Sequence, residues 1–257
     1  MKKKFVIPSL LLACSLTACD DGLVKSGVAY KDGMTASVDA SLKKQKEGSY
    51  KLLTIDSTVD TKFSVETNGK KQTNTGKANG TIKIDVDQQS VEIEMDTNSK
   101  STGVTQELKG SVKAKKTNGK FKVVNSEGTI GELYSLLDFD AYYTNTIYTT
   151  YSWNYSFSDS DIRDALASVS GSLNSSMGQA LTDIKNNMLI DGNPEKGTFD
   201  VGISKAISFN VENVTLEYTK MKYTYKNCLL QGYTMGISAS TEGVKFEIEG
   251  TYNYSYK

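Results

Sequence analysis

The chain has 257 residues, 30 basic and 30 acidic side chains, three cysteines, no histidine and a single arginine, Arg163. Without histidine, Ser/His, Cys/His and H-E-x-x-H chemistries are excluded, so a catalyst would have to work with carboxylates, lysines or tyrosines. The balanced charge gives no basic field for nucleic acid, and one arginine gives no bidentate phosphate clamp.

Residues 1–18 open on Lys2-Lys3-Lys4, run through apolar residues from Phe5 to Leu12, and end in mainly small residues from Ala13 to Ala18. That is the layout of a signal peptide, too short to cross a bilayer as a helix. It closes on Leu16-Thr17-Ala18-Cys19, which resembles the lipobox of bacterial lipoproteins. The resemblance implies that Cys19 becomes an acylated N-terminus and that the membrane is a partner. Each buried CH2 group contributes about 0.8 kcal/mol, so two or three acyl chains anchor stably where one does not. The alternatives are ordinary secretory cleavage, leaving Cys19 a free thiol, and an earlier box at Leu11-Leu12-Ala13-Cys14, which shortens the apolar run severely. Loss of the leader takes three of the 30 basic groups and no acid, leaving 27 against 30, a net charge of about −3. Cys228 is then the one remaining cysteine of the mature domain, so no disulfide forms within it. Asn227-Cys228-Leu229-Leu230 reads as a junction between strands, with Cys228 packed rather than reactive.

Residues 19–33 read as a lipidated tether and 34–257 as a single domain. Met34, Val38 and Leu42 recur in steps of four before Lys43, Lys44, Lys46 and Gly48, the pattern of a short amphipathic helix. From 49 to 125 the period falls to two. Val59, Phe63 and Val65, then Ile82, Ile84 and Val86, then Val91, Ile93 and Met95, then Val112 and Ala114 alternate with charged residues. Asn68-Gly69, Asn79-Gly80 and Asn118-Gly119 mark hairpin turns of an antiparallel meander with a charged outer face. The lysine-rich hairpin from Lys109 to Lys122 is expected to find cross-strand partners in Glu92 and Glu94.

A helical insertion is expected over about 129–192. Thr129 and Glu132 fit a capping box, ahead of Ile130, Leu133, Tyr134 and Leu137 on one helix face. Tyr143, Ile147, Tyr151, Trp153, Tyr155 and Phe157 share one parity against Thr144, Thr146, Thr150 and Ser152, which at the strand period forms an aromatic stripe. Ile162 to Met188 then recur in steps of three and four, a helix of roughly 28 residues that starts at Ser158 or Ser160 and stops at Gly192-Asn193-Pro194. A second meander follows, with a bulge expected between Tyr218 and Met221 where the alternation slips.

The expected fold is α+β: a curved, unclosed antiparallel sheet of about 10–12 strands with one long and several shorter helices covering one face. Chemistry is thin. Asp138 and Asp140 are the candidates for a carboxylate-dependent hydrolase, and no P-loop, Rossmann fingerprint, calcium loop, metal set or cofactor motif is present. The aromatic stripe either lines a cavity for a hydrophobic ligand or is filled by its own side chains. The lipobox, the element order and the helical stripe beginning at Ile162 together resemble the LolA/LppX-like lipoprotein carriers at the level of architecture. That resemblance implies a helix-plugged half-barrel that binds acyl chains or lipidated cargo, with no site residue carried over. The function expected is non-catalytic binding of a lipid or amphiphile by a membrane-anchored extracytoplasmic lipoprotein, with Tyr143, Ile147, Tyr151, Trp153, Tyr155 and Phe157 against the ligand. The alternative is an envelope module that binds proteins or glycans through exposed strands.

Overall fold

The computed structural model describes residues 21–29, 50–101, 104–151, 179, 182–211 and 213–257. Among the described residues, twelve strands form one unclosed sheet, antiparallel throughout, with a few short helices. In chain order they are β1 (Val28–Ala29), β2 (Leu52–Thr67), β3 (Lys70–Asp85), β4 (Ser90–Ser101), β5 (Val104–Thr117) and β6 (Lys120–Glu127). Helices α1 (Gly128–Tyr134) and α2 (Phe139–Tyr151) follow. Then come β7 (Met188–Asn193), β8 (Thr198–Ile203), β9 (Ile207–Val211), β10 (Val214–Lys226), β11 (Leu229–Thr241) and β12 (Val244–Tyr256). The order across the sheet is β1-β7-β8-β10-β11-β12-β2-β3-β4-β5-β6, with β9 also on β10.

The period-two segments become strands, and their apolar parity becomes one face. Leu53, Ile84, Val91 and Ala114 lie in one row across β2 to β5, and Ile55, Ile82, Ile93 and Val112 form the next. All eight are buried. In the other half of the sheet the same face carries a largely aromatic row. Ile190, Val201, Tyr223, Tyr233 and Tyr252 align across β7, β8, β10, β11 and β12. The Tyr223 and Tyr233 rings lie 4.3 Å apart, and Tyr233 and Tyr252 4.8 Å apart. The bulge expected near Met221 is present, as a register shift between Tyr218 and Lys220.

Two of the three Asn-Gly pairs turn the chain. Asn68-Gly69 and Asn118-Gly119 both take positive φ, as a type I′ turn requires. Asn79-Gly80 instead lies inside β3, opposite Thr58 and Ser57 on β2. Here glycine serves close approach, because a Cβ on Gly80 would fall 2.4 Å from Ser57 Oγ. The β3–β4 turn is made by Val86–Gln89, with Gln88 N donating to Asp85 Oδ1 at 2.7 Å.

The insertion departs from the expected pattern in four ways. First, 139–151 is helix α2, not strand. Tyr143, Ile147 and Tyr151 are spaced by four, a step that preserves both strand parity and helix face, so their pattern fits either period. The intervening threonines satisfy their hydroxyls within the helix. Thr144 Oγ1 donates to Asp140 O at 2.8 Å and Thr146 Oγ1 to Tyr142 O at 2.7 Å.

Second, no capping box forms. β6 runs on to Glu127, which takes the N-cap position without a side-chain bond, and Gly128 at φ 70° turns directly into α1. The helix lies close against β5, where a Cβ on Gly131 would fall 2.3 Å from Ser111 O. Leu133 consequently faces solvent at 66% exposure. Third, the long helix expected over 158–191 falls mostly outside the described residues. Residues 182–186 are helical, but Met188, expected at the helix end, begins β7 and is fully buried. Gly192 and Asn193 likewise close a strand rather than a helix. Fourth, the segment read as free tether is docked over residues 21–29. Val24 N donates to Ile203 O at 3.0 Å, Gly22 O accepts from Met221 N at 3.0 Å, and β1 pairs with β7. The helix expected over 34–47 lies outside the described residues.

α2 touches both β11 and the outermost strand β6. Those strands are six spacings apart, about 29 Å in a flat sheet, whereas 13 residues of helix span about 20 Å. The sheet therefore curls around α2.

Candidate functional site

α2 is the element that lies in the hollow. Its N-terminus is fixed by carboxylates: Asp138 Oδ1 accepts from Ala141 N at 3.2 Å, and Asp140 Oδ2 accepts from Phe121 N on β6 at 3.3 Å. The first bond caps the helix and the second ties it to the sheet edge. These are structural uses of both acids singled out for hydrolysis. Among the described residues no group of three or more acids and cysteines gathers as a metal site.

Of the six aromatic-stripe residues, the structure places two against the core by their side chains. Tyr143 and Ile147 are partly buried there, and the Tyr143 ring lies 5.0 Å from that of Phe121. Tyr151 ends α2, while Trp153, Tyr155 and Phe157 lie outside the described residues, as does Cys19. Sequence reasoning missed three other aromatics of the hollow. Tyr142 packs on the same core, and burial, reinforced by neighbouring Tyr134, pushes its phenol far above the ordinary value. Tyr50 shares a 2.9 Å hydrogen bond with the fully buried Thr150 of α2, and its ring lies 4.9 Å from that of Tyr256, tilted by 60°. Tyr256 donates to Leu230 O at 2.5 Å, and burial first, then the nearby tyrosines, raises its phenol well above 10. The signal for Tyr256 was its parity with Tyr252 and Tyr254; Tyr50 had no pattern around it.

A second candidate lies on the outer face. A groove of about 460 Å³ runs from β12 across β2 and β3 to β4, lined by Asp60, Lys62, Lys77, Lys100, Glu247 and Glu249 among others. Its charges largely satisfy one another, with Lys62 to Glu247 at 2.9 Å and Lys220 to Glu249 at 2.7 Å. Lys245 and then Lys62 hold the Glu247 carboxyl below its usual range. The groove sits on a seam, because β12 and β2 form ladder pairs only where Tyr254–Tyr256 meet Leu53–Ile55. Glu66 N still reaches Gly243 O at 2.6 Å. Eleven residues separate Ile55 from Glu66 and Gly243 from Tyr254, so the strands keep one register at both ends of the seam.

Cys228 is buried, as expected of a packed cysteine. It occupies the second centre of a type I′ turn at φ 64°, after Asn227 at φ 52°, where glycine is the usual residue. Its backbone N–H donates to Gly197 O at 2.9 Å.

No family model and no curated protein sequence matches the chain. Among solved structures, the ywiB protein of Bacillus subtilis aligns at 8% identity and a TM-score of 0.20, covering 79% of this chain and 93% of that one. The translocator domain of the autotransporter NalP from Neisseria meningitidis aligns at 9% identity and 0.17, covering 88% and 94%. A DUF1329 family protein from Desulfovibrio piger aligns at 10% identity and 0.15, also covering 88% and 94%. At these TM-scores the likeness carries no argument about fold or task.

Proposed function

We propose that the protein is a membrane-anchored, extracytoplasmic bacterial lipoprotein that holds a hydrophobic or amphiphilic ligand, a lipid or lipidated cargo, beneath its helical insertion without transforming it. The observation that carries this reading is α2 lying in the hollow of an unclosed sheet, touching both β6 and β11, with Tyr143 and Ile147 only partly buried against an aromatic wall. Such a wall offers apolar ring faces with polar tips, which suits an acyl chain joined to a headgroup. In this reading the sequence after α2 supplies the long helix and, with Tyr151, Trp153, Tyr155 and Phe157, the remaining cover. Anchoring through acylated Cys19 rests on the leader and lipobox. The reading takes its model from the LolA/LppX-like carriers, which the order of elements in the sequence resembles. The structural employment of Asp138 and Asp140 supports a non-catalytic role.

Trp153 is the sole tryptophan and therefore a built-in probe. Titration with oleate is expected to shift its emission saturably, and the Tyr143→Ala/Ile147→Ala double variant, checked for folding by circular dichroism, is expected to lose the response. A flat titration together with no saturable oleate binding would overturn the reading.

One observation favours a second reading, an envelope module that engages proteins or glycans. Strands β2 to β5 run on beyond the buried rows, with exposed residues on both faces. That reading predicts a filled hollow and partner binding weakened by outer-face substitutions such as Lys100→Glu.

A further inference from the structure

β5 outruns its outer neighbour. β6 pairs with it only from Ser111 opposite Glu127 to Thr117 opposite Lys120, whereas β4 pairs with it from Val104 to Lys115. Gly128 then starts α1 so close to β5 that a Cβ there would strike Lys109 O, and the chain leaves the edge at that point. Among the described residues, 104–108 are therefore a second stretch of sheet edge, exposed at every position.

The backbone of this stretch has an unused side. Thr97 Oγ1 donates to Leu108 O, Ser99 Oγ to Gln106 O, and Lys116 N to Gln89 O. The even-numbered residues of β5 thus turn their polar backbone groups toward β4 and the turn before it. Along a strand the direction alternates, which aims the N–H and C=O of Thr105 and Glu107 outward.

The two edges are built differently. β6 carries Lys120 and Lys122 and meets β5 through a register shift at Lys113, both of which discourage a further strand. Residues 104–108, Val-Thr-Gln-Glu-Leu, hold no lysine, proline or bulge. Their one charge, Glu107, accepts from Asn98 Nδ2 at 3.2 Å within its own sheet. Val104 and Leu108 share the inner face with Val112, and both are exposed. α1 sits on that face too, since a Cβ on Gly110 would fall 2.6 Å from Gly131 N, and its Leu133 is also exposed.

We infer that residues 104–108 form a dimer interface, pairing antiparallel with the same residues of a second copy so that the sheet continues from one chain into the other. The segment is complementary to itself in one register, centred on Gln106. Thr105 and Glu107 of each copy then exchange backbone bonds with Glu107 and Thr105 of the other, four bonds from two pairs. Val104 meets Leu108 of the second copy in the non-hydrogen-bonded pairs, where side chains come closest. Inner face stays with inner face, and the one acid stands opposite a neutral threonine. Other centres fail. Glu107 at the centre faces the same acid of the second copy, and Leu108 at the centre requires Ser111, which Glu127 already holds. Thr105 at the centre sets Val104 against Gln106. A contact of this size makes a weak dimer, populated by concentration.

Dimer formation needs neither acylation of Cys19 nor a ligand in the hollow, so the chain from residue 19 carrying Cys19→Ser is the material for the test. Sedimentation velocity at rising concentration is expected to show a monomer–dimer equilibrium. Thr105→Pro removes an outward N–H, and with it two of the four bonds, without touching the β4 ladder. It is expected to raise the dissociation constant at least about tenfold, with circular dichroism and monomer melting unchanged. Leu108→Lys, a guard on the inner face, should act in the same direction. Gln106→Cys faces itself across the two-fold axis and is expected to oxidise to a covalent dimer, whereas Leu108→Cys faces Val104 and is not. A dimer that survives both Thr105→Pro and Leu108→Lys, or equal cross-linking of the two cysteine variants, would overturn the inference. A chain that stays monomeric at every concentration overturns it even if the edge captures an extended peptide of another protein, because the pairing is then not with itself.

Discussion

The two halves of the sheet solve the same problem with different residues. Across β7 to β12 the inner face is built from stacked aromatics, and tyrosines such as Tyr252 and Tyr223 are almost completely buried. Across β2 to β5 the inner face is aliphatic for two rows and then gives way to small and polar residues. Gly80, Met95 and Gly110 share one row, and Gly76, Ser99 and Gln106 another. Strands of 16 residues are about 50 Å long, so β2 and β3 extend well past the rows that bury anything. Stability is thus concentrated in the tyrosine half and the adjoining aliphatic rows. The distal ends of β2 to β5 rest on ladder bonds and surface pairs, and their side chains are free to serve binding.

The sharpest way to break this contrast is by substitution. Tyr252→Ala, at 0% exposure, is expected to cost about 3–5 kcal/mol, whereas Val104→Ser, at 67% exposure, should stay within about 0.5 kcal/mol. Urea unfolding of the two variants decides it, and comparable losses would mean the contrast is false.

Alkaline titration comes next in size. A phenol whose folded value is raised contributes stability that is complete below its unfolded value of 10.0 and is lost as pH rises toward the folded value. Tyr256 and Tyr142 should therefore ionise only as the protein unfolds, above pH 10. Absorbance at the phenolate band followed beside far-ultraviolet circular dichroism checks that their ionisation and unfolding coincide. Ionisation of Tyr142 and Tyr256 preceding unfolding would count against their burial.

Hydrogen exchange should reveal the seam. β2 is paired along its whole length with β3 but over only three positions with β12. Amides facing the seam on both strands are expected to exchange faster than those between β2 and β3, and uniform protection would contradict an opened ladder. The smallest expected effect is acidic. The lowered carboxyl of Glu247 gives stability present above 4.5 and lost as pH falls through its folded value. Glu247→Gln should flatten only that limb of the profile, and only slightly, because the ion pairs with Lys62 and Lys245 are at the surface.

The strands were legible because a half-buried sheet imposes a period of two, and Ile82-Lys83-Ile84 admits no other face assignment. Asn68-Gly69 and Asn118-Gly119 were legible as turns for a local reason, their shared need for positive φ. Asn79-Gly80 misled because glycine also answers a distant demand, the approach of Ser57 from the next strand. α2 misled because Tyr143, Ile147 and Tyr151 repeat in steps of four, and the threonines that suggested a strand instead bond to their own helix. Burial of particular tyrosines was not legible at all. It depends on which residues become neighbours in register across four strands, as with Val201, Tyr223, Tyr233 and Tyr252, and no local window contains that information.

The most direct test of the proposal that the protein is lipid-anchored and holds a ligand is its intact mass, taken first under native and then under denaturing conditions after extraction from its own membrane. The expected result is a native mass that falls by one amphiphile on denaturation, leaving a chain that begins at Cys19 and still carries acyl groups. An unmodified chain with the same mass in both states would contradict it.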